Sequence, residues 1–366
     1  MFQIKTDPAS KLPANAPRTD LLVCEVPAID YKWQAKGEAA FAMNGDAPDY
    51  QALAKKFLDC GGMQLTGAAG VGKTYSLKRI LAAVRAELVE RKAPTKLIAT
   101  AVRHCTTQLI GGVTLEHVMR KYGASPMGMP RPGTVVVVDE MSEVRQDVWW
   151  RLAHWKRLGV LFLLTGDFDG QRGPMFDCFE DSTSPTRMKS CQLMHALSGG
   201  FRMELKTYRR GDDPELFANY TRLYKFADAS PYQPVLDLQA LYPLRTSWPD
   251  VFVVMKHEHR ILLNAASNLR LSASVEDKLF VKCPANVDAR VYMKPQDMHI
   301  WTGMTLVGCV QKYVRNGLKN GVLYKVVRFN AETVWLEPLP EYQTPPLTWD
   351  KEPGEGGGEG GGEDGD

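Results

Sequence analysis

The chain has 366 residues, 44% of them hydrophobic and 24% charged, a composition typical of a globular protein with about two or three domains. No segment reaches the roughly 20 consecutive apolar residues of a membrane helix, and the N-terminus lacks the apolar core of a secretory signal. The seven cysteines form no CxxC pair, so neither a zinc site nor a disulfide framework is indicated. We therefore expect an intracellular protein of the cytoplasm or nucleus, with no membrane partner.

Charge is distributed unevenly along the chain. Residues 351–366 contain one Lys and six acidic residues, a net charge of −5, whereas the whole chain carries +3, which leaves +8 on the rest. A basic body favours a polyanionic partner such as nucleic acid. The same charge also serves solubility, so composition alone leaves both interpretations open.

Strands and helices alternate in the first half of the chain. Residues 1–45 are rich in Pro, Ala and Asp without a period, which predicts an irregular N-terminal extension. Beyond them, short apolar runs at 63–66, 97–100, 134–138 and 160–165 predict buried strands, and helical spacing is present over 77–88 and 149–158. This alternation predicts an α/β fold, with a parallel, doubly wound sheet in a first domain at 46–205.

The second half has a different pattern. Short β-rich segments separated by turn signals such as NGLKNG lie at about 279–340. They predict a β-barrel-like insertion within a second domain at 206–345. The segment 346–366 ends in Gly and acidic residues only, which bury no apolar surface, and we expect it to be a disordered tail.

A phosphate-binding loop is indicated between the strand at 63–66 and the helix that follows. The sequence GAAGVGKT matches the pattern GxxxxGK followed by Ser or Thr, in the strand-to-helix context that this pattern requires. Glycines let backbone N–H groups turn toward phosphates, Lys73 can reach the β- and γ-phosphates, and the Thr74 hydroxyl can bind Mg²⁺. We therefore predict that a nucleoside triphosphate with Mg²⁺ is bound by Gly67, Ala68, Ala69, Gly70, Val71, Gly72, Lys73 and Thr74.

Carboxylates follow the apolar strand at 134–138. Asp139 at the strand end can hold Mg²⁺ through water, and Glu140 can activate the attacking water. After the next strand, the segment LLTGDFDGQ places Gln171 where its amide could contact a γ-phosphate or a water. A polar turn residue is the alternative interpretation of Gln171.

In this order the segments resemble superfamily 1 DNA helicases, in particular the RecD/Dda-like group and its viral relatives. LTGAAGVGKT corresponds to motif I, VVVVDEMSEV to motif II, LLTGDFDGQRGP to motif III and MELKTYRRGDDPELF to motif IV. QLIGGVTLEHVM is similar to the segments that contact single strands. The resemblance covers about residues 45–340 and implies a P-loop NTPase: a RecA-like domain followed by an incomplete second RecA-like domain with a β-rich insertion. It is also compatible with a viral origin.

The resemblance implies ATP hydrolysis that drives movement on single-stranded DNA or RNA. It implies that Gln51 reads the adenine, that Arg209 crosses from the second domain to the γ-phosphate, and that Thr74 and Asp139 bind Mg²⁺. The catalytic residues that it implies are Lys73, Asp139, Glu140, Gln171 and Arg209.

The sequence departs from the family in three places, one of which is the usual Thr-Ile-His, present here as Thr114-Leu115-Glu116-His117. Motif III reads GDFDGQ, with Gly170 between Asp169 and Gln171, whereas the usual pattern is GDxxQ. Motifs V and VI, with a second catalytic arginine, are absent, because PLPEYQTPPLTWD leads directly into the acidic tail. We therefore expect a C-terminally truncated helicase: a fragment, a relic, or half of a split enzyme whose missing motifs lie on a separate polypeptide. A P-loop ATPase without unwinding activity and a truncated nucleic-acid-binding relic stay open as alternatives.

Overall fold

The described part of the chain forms two compact units. The structure is a computed structural model that describes residues 34–37, 49–92, 95–123, 130–168, 191–223, 232–243, 248–249, 251–283, 296–309, 318–344 and 349–351. The first unit is drawn from Met1–Val102, Gly112–Tyr224 and Pro346–Asp366, and the second from Arg103–Gly111 and Lys225–Pro345.

A parallel β-sheet forms the centre of the first unit. Its strands are β1 (Gln34–Gly37), β2 (Gly62–Gly67), β3 (Thr95–Ala101), β4 (Val113–Thr114), β5 (Val135–Asp139), β6 (Leu161–Gly166) and β7 (Phe201–Leu205). The order across the sheet is β1-β7-β2-β6-β5-β3, every neighbouring pair in it is parallel, and β4 pairs with β3. The carboxyl ends of β7, β2, β6 and β5 therefore lie side by side at one edge.

Helices connect the strands. They are α1 (Tyr50–Cys60), α2 (Lys73–Glu90), α3 (His104–Leu109), α4 (Leu115–Gly123), α5 (Gln146–Arg157), α6 (Gln192–Leu197), α7 (Pro214–Leu223), α8 (Tyr232–Leu241) and α9 (His257–Ser272). Helix α1 begins where the Asp49 carboxylate accepts the N–H groups of Gln51 and Ala52 at 3.0 and 3.1 Å, an N-cap that satisfies otherwise unpaired donors. It ends at Gly61, which has a left-handed backbone (φ 71°). Glycine adopts this conformation easily because it has no β-carbon.

Unbroken apolar runs keep the sheet buried. Every residue of β5 is buried, as expected for parallel strands that are covered on both faces. Trp149 on α5 packs in the same apolar cluster as Val136 and Phe162. Its indole N–H donates to the Val144 carbonyl at 3.1 Å, so this large side chain is buried without an unsatisfied donor.

The second unit contains antiparallel strands. Strands β8 (Leu279–Val281) and β9 (Met298–Ile300) pair with each other, and β10 (Thr305–Val307), β11 (Leu323–Phe329) and β12 (Val334–Pro338) form a sheet in that order. Helix α3 belongs to this unit. The Gln108 side chain donates to the Tyr342 carbonyl at 2.8 Å, and the Thr344 hydroxyl donates to the Leu109 carbonyl at 3.0 Å.

The predicted α/β fold class is confirmed. The four strands expected in the first domain form, each shifted or extended by at most a residue or two, and the region beyond residue 278 is β-rich as expected. The first unit continues to Tyr224, past the predicted boundary at 205, and residues 103–111 go with the second unit. The described residues of the second unit form antiparallel pairs, and its RecA-like character stays a prediction.

Strands form inside both terminal segments that lack a sequence period. Strand β1 lies within the predicted irregular extension and pairs with β7. Strand β13 (Trp349–Lys351) lies within the predicted tail and pairs antiparallel with β3. Edge strands are held by backbone hydrogen bonds and need no apolar period, so the irregular and disordered character predicted there is wrong for these few residues. Residues 1–33 and 352–366 lie outside the described part of the chain.

No helix among the described residues is long and apolar enough to cross a membrane.

Candidate functional site

The loop from β2 to α2 has the backbone of a phosphate cradle. Gly67 has φ 151° and a β-carbon there would lie 2.5 Å from the Leu205 carbonyl oxygen; Gly70 has φ 89° and a β-carbon would lie 2.6 Å from the Tyr208 ring. Only glycine fits both the backbone angles and these approaches. Helix α2 begins at Lys73 with no side-chain cap. Its first N–H groups and the positive end of its dipole are therefore available to an anion.

The Lys73 ammonium donates hydrogen bonds to the backbone of this loop. Its Nζ donates to the carbonyl oxygens of Gly67 at 2.9 Å and Ala68 at 3.1 Å. Burial lowers the pKa of Lys73 below its ordinary value, the carboxylates of Glu140, Asp167 and Asp139 act in the opposite direction, and Arg210 lowers it further. The amine is therefore a buried cation near acidic groups, held by neutral carbonyl acceptors that phosphate oxygens could replace.

Asp139 is a buried carboxylate at the end of β5. Its Oδ1 accepts hydrogen bonds from the Thr165 hydroxyl and, at 3.0 Å, from the Glu140 N–H. Its Oδ2 is buried and accepts no hydrogen bond from the described residues. Burial raises the pKa of Asp139 from 3.8 to about 6, although the hydrogen bond from Thr165 opposes the shift. An unsatisfied, buried carboxylate oxygen beside a phosphate loop fits a Mg²⁺-bound water.

Glu140 has an unusual backbone conformation. Its φ of 53° and ψ of 49° lie in the left-handed region, where non-glycine residues are uncommon. It precedes a short 3₁₀ turn, Met141–Glu143, in which the Glu143 N–H donates to the Glu140 carbonyl at 2.9 Å. The turn reverses the chain directly after Asp139, so that both carboxylates belong to the same edge of the sheet.

Asp167 is a functional candidate that the sequence analysis did not select. It follows β6, is buried, and acts electrostatically on Lys73 together with Asp139 and Glu140. The sequence did indicate Asp167 as a candidate, because it directly follows an apolar strand and Asp139 is the last residue of another. Only the order of strands in the sheet brings it beside the loop.

Arg209 lies in the first unit, directly beyond β7. Its backbone N–H donates to the Gly70 carbonyl at 2.9 Å, and its Cδ would lie 3.5 Å from a β-carbon at Gly72. Tyr208 packs over Gly70 and stacks on Phe217 of α7 with ring centroids 4.5 Å apart. The sequence placed Arg209 in the second domain. The structure places it in the same unit as the phosphate loop, because β7 neighbours β2.

Of the other predicted residues, the structure describes Thr74, Val71 and Gln51 but not Gln171. Thr74 is half-buried as the second residue of α2, Val71 is buried in the loop, and Gln51 is exposed in the first turn of α1. Gln171 lies outside the described residues. Within the described ranges no group of three or more His, Cys, Asp or Glu side chains could hold a metal ion.

Comparison with known proteins identifies the fold. The family described as "AAA domain" matches residues 48–174, and no curated protein sequence matches the chain. The solved Pif1 helicase from Candida albicans is similar at 20% identity and TM-score 0.50, over 80% of this chain and 70% of that one. Pif1 helicase from Bacteroides in complex with ADP-AlF3 and ssDNA is 17% identical at TM-score 0.49, over 80% and 72%.

Residues 48–174 are thus similar to the AAA-domain family, and the chain shares the RecA-like P-loop fold of the Candida helicase. The resemblance to superfamily 1 helicases that motifs I to IV predicted is confirmed at the level of fold.

Proposed function

We propose that the chain is a superfamily 1 helicase or translocase that hydrolyses Mg·ATP to move on single-stranded DNA. The observation that supports it best is that four strand ends lie side by side at one edge of the sheet. They carry the phosphate loop with Lys73, the pair Asp139–Glu140, Asp167 and Arg209.

The loop, Lys73 and Asp139 each have a feature that fits Mg·ATP. The loop excludes β-carbons at Gly67 and Gly70, and Lys73 donates to the Gly67 and Ala68 carbonyls. Asp139 has a buried carboxylate oxygen that accepts no hydrogen bond from the part of the chain that the structure describes. When bound, Mg²⁺ and ATP supply the phosphoanhydride to be cleaved and a cation that neutralises its charge.

The chain's own residues then have distinct roles. Lys73 would exchange the Gly67 and Ala68 carbonyls for phosphate oxygens, Asp139 and Thr74 would hold the Mg²⁺, and Glu140 would accept the proton of the attacking water. Arg209 stabilises charge on the γ-phosphate from the same unit as the loop. Gln51 and Gln171 contact the adenine and the γ-phosphate by the family's pattern.

Single-stranded nucleic acid is the partner that charge and motif order favour. The chain before residue 351 carries a net charge of +8, and phosphate neutralisation by Lys and Arg provides most of the affinity in such complexes. DNA is the form that the helicase resemblance favours, and RNA is the alternative that the assay below includes.

A P-loop ATPase without unwinding activity is the second candidate. In the second unit Val251, Val253 and Met255 are 76%, 94% and 98% exposed. A RecA-like domain would bury apolar residues of this kind in its sheet. The helicase resemblance implies two RecA-like domains for movement on a strand, so a second unit without such a sheet is the case in which ATP turnover is not coupled to strand separation.

The test compares ATP hydrolysis with and without single-stranded DNA or RNA, and strand displacement on a tailed duplex. We expect hydrolysis to be stimulated by the single strand and lost in Lys73→Ala, with an unchanged circular dichroism spectrum because the side chain faces the ligand site. Equal hydrolysis by the parent and Lys73→Ala would contradict the proposal. Hydrolysis without stimulation or displacement would favour the second candidate.

A further inference from the structure

We propose that Gly166 is a positioning residue for Glu140. The absence of a side chain at the end of β6 lets the turn after Asp139 lie against the sheet, and this contact sets the direction of the Glu140 carboxylate. The inference rests on the proposed function, in which Glu140 activates the attacking water.

The conformation of Glu140 has to be imposed by its surroundings. A non-glycine residue in the left-handed region is strained and persists only where neighbouring contacts hold it. Its own N–H donates to Asp139 Oδ1 at 3.0 Å. The following turn is closed by the Val144 N–H, which donates to the Met141 carbonyl at 3.2 Å. These local bonds define the turn but do not fix its distance from the sheet.

Gly166 sets that distance. A β-carbon at Gly166 would lie 2.9 Å from Met141 Cγ, 3.0 Å from the Met141 backbone nitrogen and 3.5 Å from the Ser142 nitrogen. Gly166 is not among the glycines with positive φ, so alanine is compatible with its backbone. The constraint is therefore steric: any side chain at this position pushes the backbone of the turn away from β6.

Met141 cannot move aside to relieve this contact. The side chain is fully buried, and on β2 the Gln64 amide donates to its sulfur at 3.8 Å. Gln64 is itself held by the Arg202 Nε, which donates to its carbonyl oxygen at 2.7 Å. Because the core is closely packed, displacement of Met141 passes along the backbone to the preceding residue, Glu140.

The phosphate loop should not move with the turn. The nearest atoms to a β-carbon at Gly166 all belong to Met141 and Ser142, whereas the loop is attached to β2 and α2. Substitution at Gly166 should therefore affect turnover and leave nucleotide binding intact. A general loss of stability would affect both.

The experiment compares Gly166→Ala, Glu140→Gln and the double variant, with Ile98→Val in β3 as a control for mild core destabilisation. We expect Gly166→Ala to lower the DNA-stimulated kcat by about 10- to 100-fold, the order of loss that small misplacements of a catalytic group cause. The Kd of a fluorescent ADP with Mg²⁺ should stay unchanged. Gly166→Ala should add no further loss in the Glu140→Gln background, because both changes act through one group.

A second measurement does not depend on turnover. Hydrogen exchange of the backbone amides of 140–144 should be faster in Gly166→Ala and unchanged in Ile98→Val, with equal exchange in the phosphate loop. Parent-like exchange of the turn, equal losses of kcat and ADP binding, or additive losses in the double variant would each overturn the inference. If the parent chain itself shows no hydrolysis, the proposed function fails, and the exchange data alone decide whether Gly166 holds the turn.

Discussion

Replacing Asp139 by asparagine should stabilise the nucleotide-free protein at pH 8. The carboxyl group is buried, and its pKa is raised from 3.8 to about 6. A raised pKa means that the folded state disfavours the charged form. The stability associated with this group is therefore fully present below pH 3.8 and is lost as the pH rises through about 6.

The shift fixes the size of the effect. One pKa unit corresponds to 1.36 kcal/mol, so a shift of about two units corresponds to about 3 kcal/mol at pH 8. Asparagine keeps the shape and can still accept the Thr165 and Glu140 hydrogen bonds, but it carries no charge. Because the asparagine NH2 group replaces the buried Oδ2, which has no hydrogen-bond partner among the described residues, its unpaired N–H groups offset part of this gain, and we expect a net gain of about 1–2 kcal/mol.

Denaturant unfolding without nucleotide, at pH 8 and at pH 4.5, measures this gain. The difference between Asp139→Asn and the parent should be largest at pH 8 and shrink at pH 4.5, and the exposed Asp277→Asn should show no such trend. Mg·ADP should stabilise the parent more than the variant, because the variant loses the metal contact. A variant that is less stable than the parent at pH 8, or a difference independent of pH, would refute the reasoning.

Three further predictions test other parts of the molecule. Thr165→Val should destabilise the fold by about 1–3 kcal/mol at pH 8, measured by denaturant unfolding; an unchanged midpoint would show that the hydroxyl does not support Asp139. Arg209→Ala should lower the DNA-stimulated kcat by about 10³-fold or more if it acts on the γ-phosphate, and a loss no greater than that of Arg210→Ala would contradict this role. Deleting 352–366 should leave the melting temperature unchanged and tighten nucleic-acid binding at low salt, because six acidic residues are removed; a marked loss of stability would show that this segment is docked.

Local patterns predicted the phosphate loop, and non-local strand order determined the rest of the candidate site. Gly67 to Thr74 follow from eight consecutive residues between a strand and a helix, and the structure has this loop between β2 and α2. Asp167 and Arg209 depend on β6 and β7 flanking β2, an arrangement that sequence period does not specify. The assignment of Arg209 to a second domain failed for this reason, since the chain after β7 stays beside the loop.

Strands at the sheet edges were missed for a different physical reason. Strand β1 pairs with β7, and strand β13 pairs with β3, through backbone hydrogen bonds. Such bonds form without any alternation of apolar residues in the sequence. Period-based prediction therefore recovers the buried centre of a parallel sheet and misses short edge strands.

The candidate site concentrates groups whose burial is unfavourable until a ligand arrives. Lys73 has a pKa lowered by burial, Asp139 has a pKa raised by burial, and Glu140 has a left-handed backbone. Each lowers the stability of the protein without ligand, and under the proposed function each is relieved or used when phosphate and Mg²⁺ bind. A site built only for structural stability would have apolar side chains at these strand ends. The gain in unfolding free energy expected for Asp139→Asn therefore measures what the proposed ligand site costs the fold. A residue that destabilises the fold in this way is expected where a ligand requires it.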